Sequence, residues 1–273
     1  MTKLKLGVIA RLEKGAAAEL QKAHELQLPT CQVVCWNPAF FTEEIGDQLI
    51  AASEKYQVKV TTIWTGYPGP AVWNFAAGPT TIGLVPPAYR PERVAALQAG
   101  ADFAAYVGAP SITTHVGFIP ETPHNPLYPA LLDALHTVIS YCDARGIGFY
   151  FETGQETPVT LLRVIEELGY DNLGVNFDPA NLLMYGKANP LDALDILGRY
   201  VRGVHAKDGD YPSDGLHLGP EKPLGAGRVN FPALISQLKA LGYTGALTIE
   251  REISGPQQIA DIQRAIELLT PLL

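Results

Sequence analysis

Residues 147–152 read Ile-Gly-Phe-Tyr-Phe-Glu and residues 173–178 read Leu-Gly-Val-Asn-Phe-Asp, and between them residues 159–168 carry apolar side chains at helical spacing. Two short apolar runs, each ending in an acid and separated by an amphipathic helix, make one strand–helix–strand unit of a parallel sheet. The same alternation continues in both directions. Apolar runs begin near Leu4, Cys31, Val58, Ser111, Ile147, Leu173, Val201 and Ala246, and further helical patterns cover 16–27, 91–107, 127–145 and 257–272. Eight such units joined by right-handed crossovers predict an α/β chain folded as one (β/α)8 TIM barrel over residues 1–273. No glycine-rich dinucleotide turn follows the first run, which argues against an open doubly wound sheet.

Composition narrows the setting. A chain that is 47% hydrophobic and 18% charged has enough apolar surface to build a core. A net charge of −8 repels phosphate backbones and anionic membranes, so neither nucleic acid nor a membrane is the expected partner. Cys31, Cys35 and Cys142 are an odd number, which suits packed thiols in a reducing compartment. The apolar run Leu6 to Ala10 is too short for a leader or a span, and a cytoplasmic location is expected.

Four consecutive strands, the fifth to the eighth, end in Glu152, Asp178, His205 and Glu250. Side chains alternate across a strand, so each residue can be checked against its neighbours. Positions sharing the parity of these four hold Gly148, Tyr150, Gly174, Asn176, Gly203, Ala246 and Thr248. The opposite parity holds Phe149, Phe151, Val175, Phe177, Val204, Leu247 and Ile249. Large apolar residues therefore face the helices, and the three acids and the imidazole point inward at the C-terminal rim. Converging acids repel one another unless a cation offsets them. The alternative for any single acid is a cap on the helix that follows. One divalent ion is expected, Mn²⁺ first, with Mg²⁺, Co²⁺ or Zn²⁺ as alternatives.

These residues and their surroundings resemble the xylose isomerase-like barrel superfamily, in particular its sugar and sugar-phosphate isomerases and epimerases. The matching pieces are Phe151-Glu152, Phe177-Asp178-Pro179-Ala180-Asn181, Val204-His205-Ala206-Lys207-Asp208, Leu224-Gly225-Ala226-Gly227 and Ile249-Glu250. The resemblance implies that Glu152, Asp178, His205 and Glu250 are the metal ligands. It further implies that Glu152 and Glu250 act as acid and base on opposite faces of a small sugar-like substrate, through a metal-stabilised enediolate. Asn181 stands where the family often has histidine, and Ala226 where it commonly has an acid. The several extra histidines of the three-zinc endonuclease IV type are missing, so one metal is expected.

His115, at the end of the fourth strand, Asn181, Lys207 and Trp64 are the expected substrate contacts. Lys207 otherwise pairs with Asp208 or Asp210, and Glu156 is read as a helix-entry residue. The long connection 65–90, with Trp64, Tyr67, Trp73 and Phe75 in and beside it, is either a wall of a sugar pocket or an ordinary aromatic-anchored loop. The other, 209–230, has glycines that signal tight backbone and match no phosphate loop. His24, His124, His136 and His217 are read as surface residues. Competing readings are a lyase that dehydrates a keto-polyol, an endonuclease IV-like phosphodiesterase, and a non-catalytic sugar-binding barrel. A homo-oligomer is left open.

Overall fold

The computed structural model describes residues 4–273. Eight parallel strands close into a barrel: β1 (Lys5–Arg11), β2 (Thr30–Cys35), β3 (Lys59–Thr65), β4 (Ser111–Thr114), β5 (Gly148–Glu152), β6 (Leu173–Phe177), β7 (Val201–Ala206) and β10 (Ala246–Ile249), with β10 pairing back onto β1. The two-residue strands β8 (Asp208–Gly209) and β9 (Glu221–Lys222) form a separate antiparallel pair in the connection after β7. Each barrel strand begins within one residue of its sequence-derived start. The part of the single-domain expectation that falls on residues 1–3 lies outside the described residues.

The alternation of side chains builds two layers. Phe149, Phe151, Val175, Phe177 and Val204 are buried between strands and helices. Inside the barrel, Gly148 and Gly174 leave the room that the Tyr150 ring occupies, for a Cβ at either would stand 2.6–2.7 Å from that ring. The three cysteines are buried and unpaired, and burial pushes each thiol up to about 12. They are packing residues. No helix among the described residues is long and apolar enough to cross a membrane.

Both long connections rise from the C-terminal rim, and each is tied to the barrel by one buried charge. Arg93, fully buried, donates to the carbonyls of Pro68, Pro70 and Gly83 and lies against the rings of Tyr67 and Tyr89. Asp208 is the counterpart in the second connection. Its carboxylate accepts from the backbone N–H groups of Gly209, Gly225, Gly227 and Val229 at 2.8–3.0 Å. Gly227 must lack a Cβ because that atom would fall on the Asp208 carboxylate, and Gly225 has φ +85°. The glycine-rich turn thus wraps an internal carboxylate.

Replacing Asp208 by alanine would leave four amides without their acceptor. We expect Asp208→Ala to cost roughly 3–5 kcal/mol in urea unfolding, and Asp208→Asn less because one acceptor oxygen remains.

Candidate metal centre and cavity

Glu152 closes β5, Asp178 follows β6, His205 lies in β7 and Glu250 follows β10. One ligand atom from each lies within 4.8 Å of all the others. His205 Nδ1 stands 3.1 Å from Glu152 Oε1, 3.4 Å from Asp178 Oδ2 and 3.1 Å from Glu250 Oε2. Yet His205 Nδ1, Asp178 Oδ2 and Glu250 Oε2 are all buried without a hydrogen-bond partner. Buried lone pairs aimed at one point and left unsatisfied are what a cation would complete, so the donor set fits a divalent ion. The helix-capping alternative also holds for one residue: Asp178 Oδ1 caps the helix Pro179–Met184 by accepting from Asn181 N–H at 2.8 Å, leaving Oδ2 for the centre.

The electrostatics follow from this crowding. Burial pushes Glu152 and Glu250 up, but His205 and His115 beside the first, and Lys207 and His205 beside the second, leave both carboxyls below the ordinary range. For Asp178 burial wins and the shift is upward, despite Lys207 and His205. Burial alone would lower the His205 pKa, yet the charges of Glu152 and Glu250 raise it well above 6.5. Without an ion the imidazolium is therefore the counter-charge at the bottom of the site.

Polar residues around the ligands hold them in place. His205 Nε2 lies 2.8 Å from Gln32 Oε1, Gln32 Nε2 donates to Asn176 Oδ1 at 2.8 Å, and Asn176 Nδ2 reaches Glu152 Oε2 at 3.3 Å. With Nε2 carrying the proton toward Gln32, Nδ1 is left bare for an ion once the ring is neutral. Gln32, on β2, escapes sequence reasoning because it joins His205 only through the closure of the barrel. The signal that could have found it is one amide on the inward parity of a strand whose other residues are threonine, cysteine and valine.

The expected substrate contacts gather around one cavity of about 360 Å³ above the cluster, lined by Trp64, His115, Asn181, Lys207, Glu152 and Glu250 among others. The indole N–H of Trp64 is committed to Glu152 Oε2. His115 Nε2 stands 3.6 Å from Glu152 Oε1, and Asn181 Nδ2 donates to the same oxygen at 3.4 Å. Lys207 pairs with neither Asp208 nor Asp210. Its ammonium lies 3.2 Å from Glu250 and 3.1 Å from Glu252, because the inward parity shared with His205 carries it to the rim while Asp208 turns into the glycine loop. Glu156 also departs from expectation. Thr157 caps the following helix, while Glu156 is buried and pushed up to about 8 by that burial. The remaining histidines, His24, His124, His136 and His217, are exposed.

A family model described as xylose isomerase-like TIM barrel matches residues 20–272. Among solved structures, a xylose isomerase domain protein from Planctomyces limnophilus is 38% identical, with a TM-score of 0.93 over 98% of this chain and 97% of that one. A D-tagatose 3-epimerase-like protein is 20% identical, with a TM-score of 0.76 over 98% and 97% of the two chains. A xylose isomerase-like TIM barrel protein from Mycobacterium smegmatis in complex with magnesium is 16% identical, with a TM-score of 0.71 over 99% and 98%. At these last two identities the likeness is one of fold.

Two measurements test the centre. An ion can take His205 Nδ1 only after the proton leaves, so below the raised pKa each unit of acidification should weaken binding about tenfold. Calorimetry with Mg²⁺ at neutral pH in buffers of differing ionisation enthalpy should register about one proton released, and none released would remove His205 from the ligand set. Gln32→Met should weaken Mg²⁺ binding about 10–100-fold and change the ¹⁵N tautomer signature of His205.

Proposed function

The chain belongs to the xylose isomerase-like TIM barrel family, and from that premise we propose that it is a divalent-metal-dependent isomerase or epimerase of a small sugar or sugar derivative. One observation carries the reading. Of the four clustered residues, Glu152 and Glu250 line the cavity, whereas Asp178 and His205 lie beneath its floor. The two that reach a substrate are the two able to move protons, and they come from β5 and from the end of β10, with β6 and β7 between them. Glu152, Asp178, His205 and Glu250 would hold the ion, with Mn²⁺ our first expectation. When bound, it would polarise a substrate carbonyl and offset negative charge developing on the neighbouring carbon.

The chain's own residues supply the remainder. Glu152 is fixed from three sides by Trp64, Asn176 and Asn181, which orients its carboxylate toward the cavity. Glu250 meets Lys207 at 3.2 Å, and the ammonium keeps it ionised and able to accept a proton. If one glutamate takes a proton beside the carbonyl and the other delivers one from the opposite face, the stereocentre inverts. Delivery to the adjacent carbon gives an aldose–ketose exchange. His115, Asn181 and Lys207 border the same space and are assigned to substrate hydroxyl or carbonyl oxygens, with Trp64 as a wall. A cavity of about 360 Å³ above the clustered acids favours a small substrate over a nucleic acid, which the net charge of −8 also repels.

Free and phosphorylated ketoses and aldoses incubated in deuterated water with Mn²⁺, then freed of the ion, should acquire deuterium at one carbon by NMR. Glu152→Gln and Glu250→Gln should each lower that exchange by about 10²–10⁴-fold at unchanged thermal stability. Wild-type exchange in either variant would take that residue out of proton transfer.

A further inference from the structure

Arg11 is the last residue of β1, and it faces the inside of the barrel. The β1–β2 register sets Ile9 beside the inward Gln32 and Arg11 beside Val34, and Ile9, Arg11 and Val34 all line the cavity. The backbone N–H of Arg11 donates to Glu19 Oε2 at 2.9 Å, which fixes the end of the strand. Its guanidinium, by contrast, makes no hydrogen bond and no ion pair among the described residues. Other arginines are tied to acids, as Arg145 is to Asp102, or to backbone carbonyls, as Arg93 is. Only Arg264, exposed on the last helix, shares the lack of a partner.

The chain carries 28 acidic residues against 20 lysines and arginines, so counter-ions are not scarce. The acids around Arg11 are committed elsewhere. Glu250 and Glu252 share the Lys207 ammonium at 3.2 and 3.1 Å. Glu19 takes Lys22 at 2.8 Å, and Glu13 Oε1 accepts from the N–H groups of Trp36 and Asn37. What borders Arg11 on the cavity wall is apolar, with Ile9 and Val34 on its own side of the barrel and Trp36 just beyond β2. An uncommitted guanidinium beside such side chains attracts an anion more strongly than one in open water.

Its position fixes where that anion would lie. In the ring of eight strands β1 stands opposite β5, so Arg11 looks across the cavity at the side that carries Glu152. The number of free cations favours a carboxylate over a phosphate. A single planar guanidinium matches the two oxygens of a carboxylate. A phosphate dianion would call for a second cation, and Lys207, the other cation on the wall, already sits between two acids that would repel the extra charge.

Resting on the sugar reading above, we propose that the substrate is a sugar acid, with its carbonyl end at the four clustered residues and a carboxylate at its other end held by the Arg11 guanidinium across the cavity from Glu152.

The test uses pairs of ketoses that differ only at carbon 6: D-fructose with D-fructuronate, and D-tagatose with D-tagaturonate, titrated by calorimetry into the full chain with Mg²⁺. In at least one pair the carboxylate member should bind about 10–100-fold more tightly. Arg11→Gln should bring the two members of that pair to within about twofold, and Arg11→Lys should keep part of the preference because the charge remains without the fork. Equal affinities within both pairs, no binding of any of the four, or a preference untouched by Arg11→Gln would overturn the proposal. D-fructose 6-phosphate binding more tightly than both uronates would assign the anion to a phosphate and overturn it as well. Deuterium exchange on the same sugars separates the two claims: exchange without a preference for the carboxylate defeats the sugar-acid assignment alone, and a preference without exchange defeats only the reaction.

Discussion

Charge crowding at the C-terminal rim is the constraint around which this molecule is arranged. Glu152, Asp178 and Glu250 bring carboxylate oxygens within 4.8 Å of one another, where each pair of negative charges costs about 3 kcal/mol at an effective dielectric near 20. Three such pairs rival the whole stability of a domain. Cations have to reside there, and the chain supplies two: an imidazole with a raised pKa and a buried ammonium at Lys207. Neither fully satisfies the orphaned oxygens on Asp178 and Glu250, and that residual demand is what a divalent ion would meet.

The second layer makes the crowding specific. Gln32 and Asn176 form a buried amide chain from His205 to Glu152, so the two ligands are oriented through one network rather than separately. A protein that only needed to tolerate buried acids could have neutralised them. Here Glu152 and Glu250 are held toward the ionised form and pointed, with atoms left unsatisfied, which is the arrangement of a site made for binding and chemistry rather than for stability.

The two long connections work at a different level. Each is rigidified by one internal charge that satisfies backbone groups, Arg93 its carbonyls and Asp208 its amides. Loops built in this way present side chains as reliably as strands do. Trp73 on one and Leu218 on the other can then define a cavity wall without a secondary element beneath them.

Much of this was legible in one dimension because it depends on periodicity. Strand starts at Ser111, Leu173, Val201 and Ala246 follow from apolar runs, and the inward placement of Glu152, Asp178, His205 and Glu250 follows from parity, since a pleated strand has only two sides. The four are also the last or next-to-last residues of their runs, which puts them at the rim. What the order of residues could not say is which distant groups meet once the barrel closes. Gln32 lies 173 positions from His205. Lys207 chose Glu250 and Glu252 over its neighbours in the turn, and Glu156 went inward instead of capping its helix. Local pattern decides which face a side chain takes; only the closed ring of strands and the packing of loops over it decide what that face then touches.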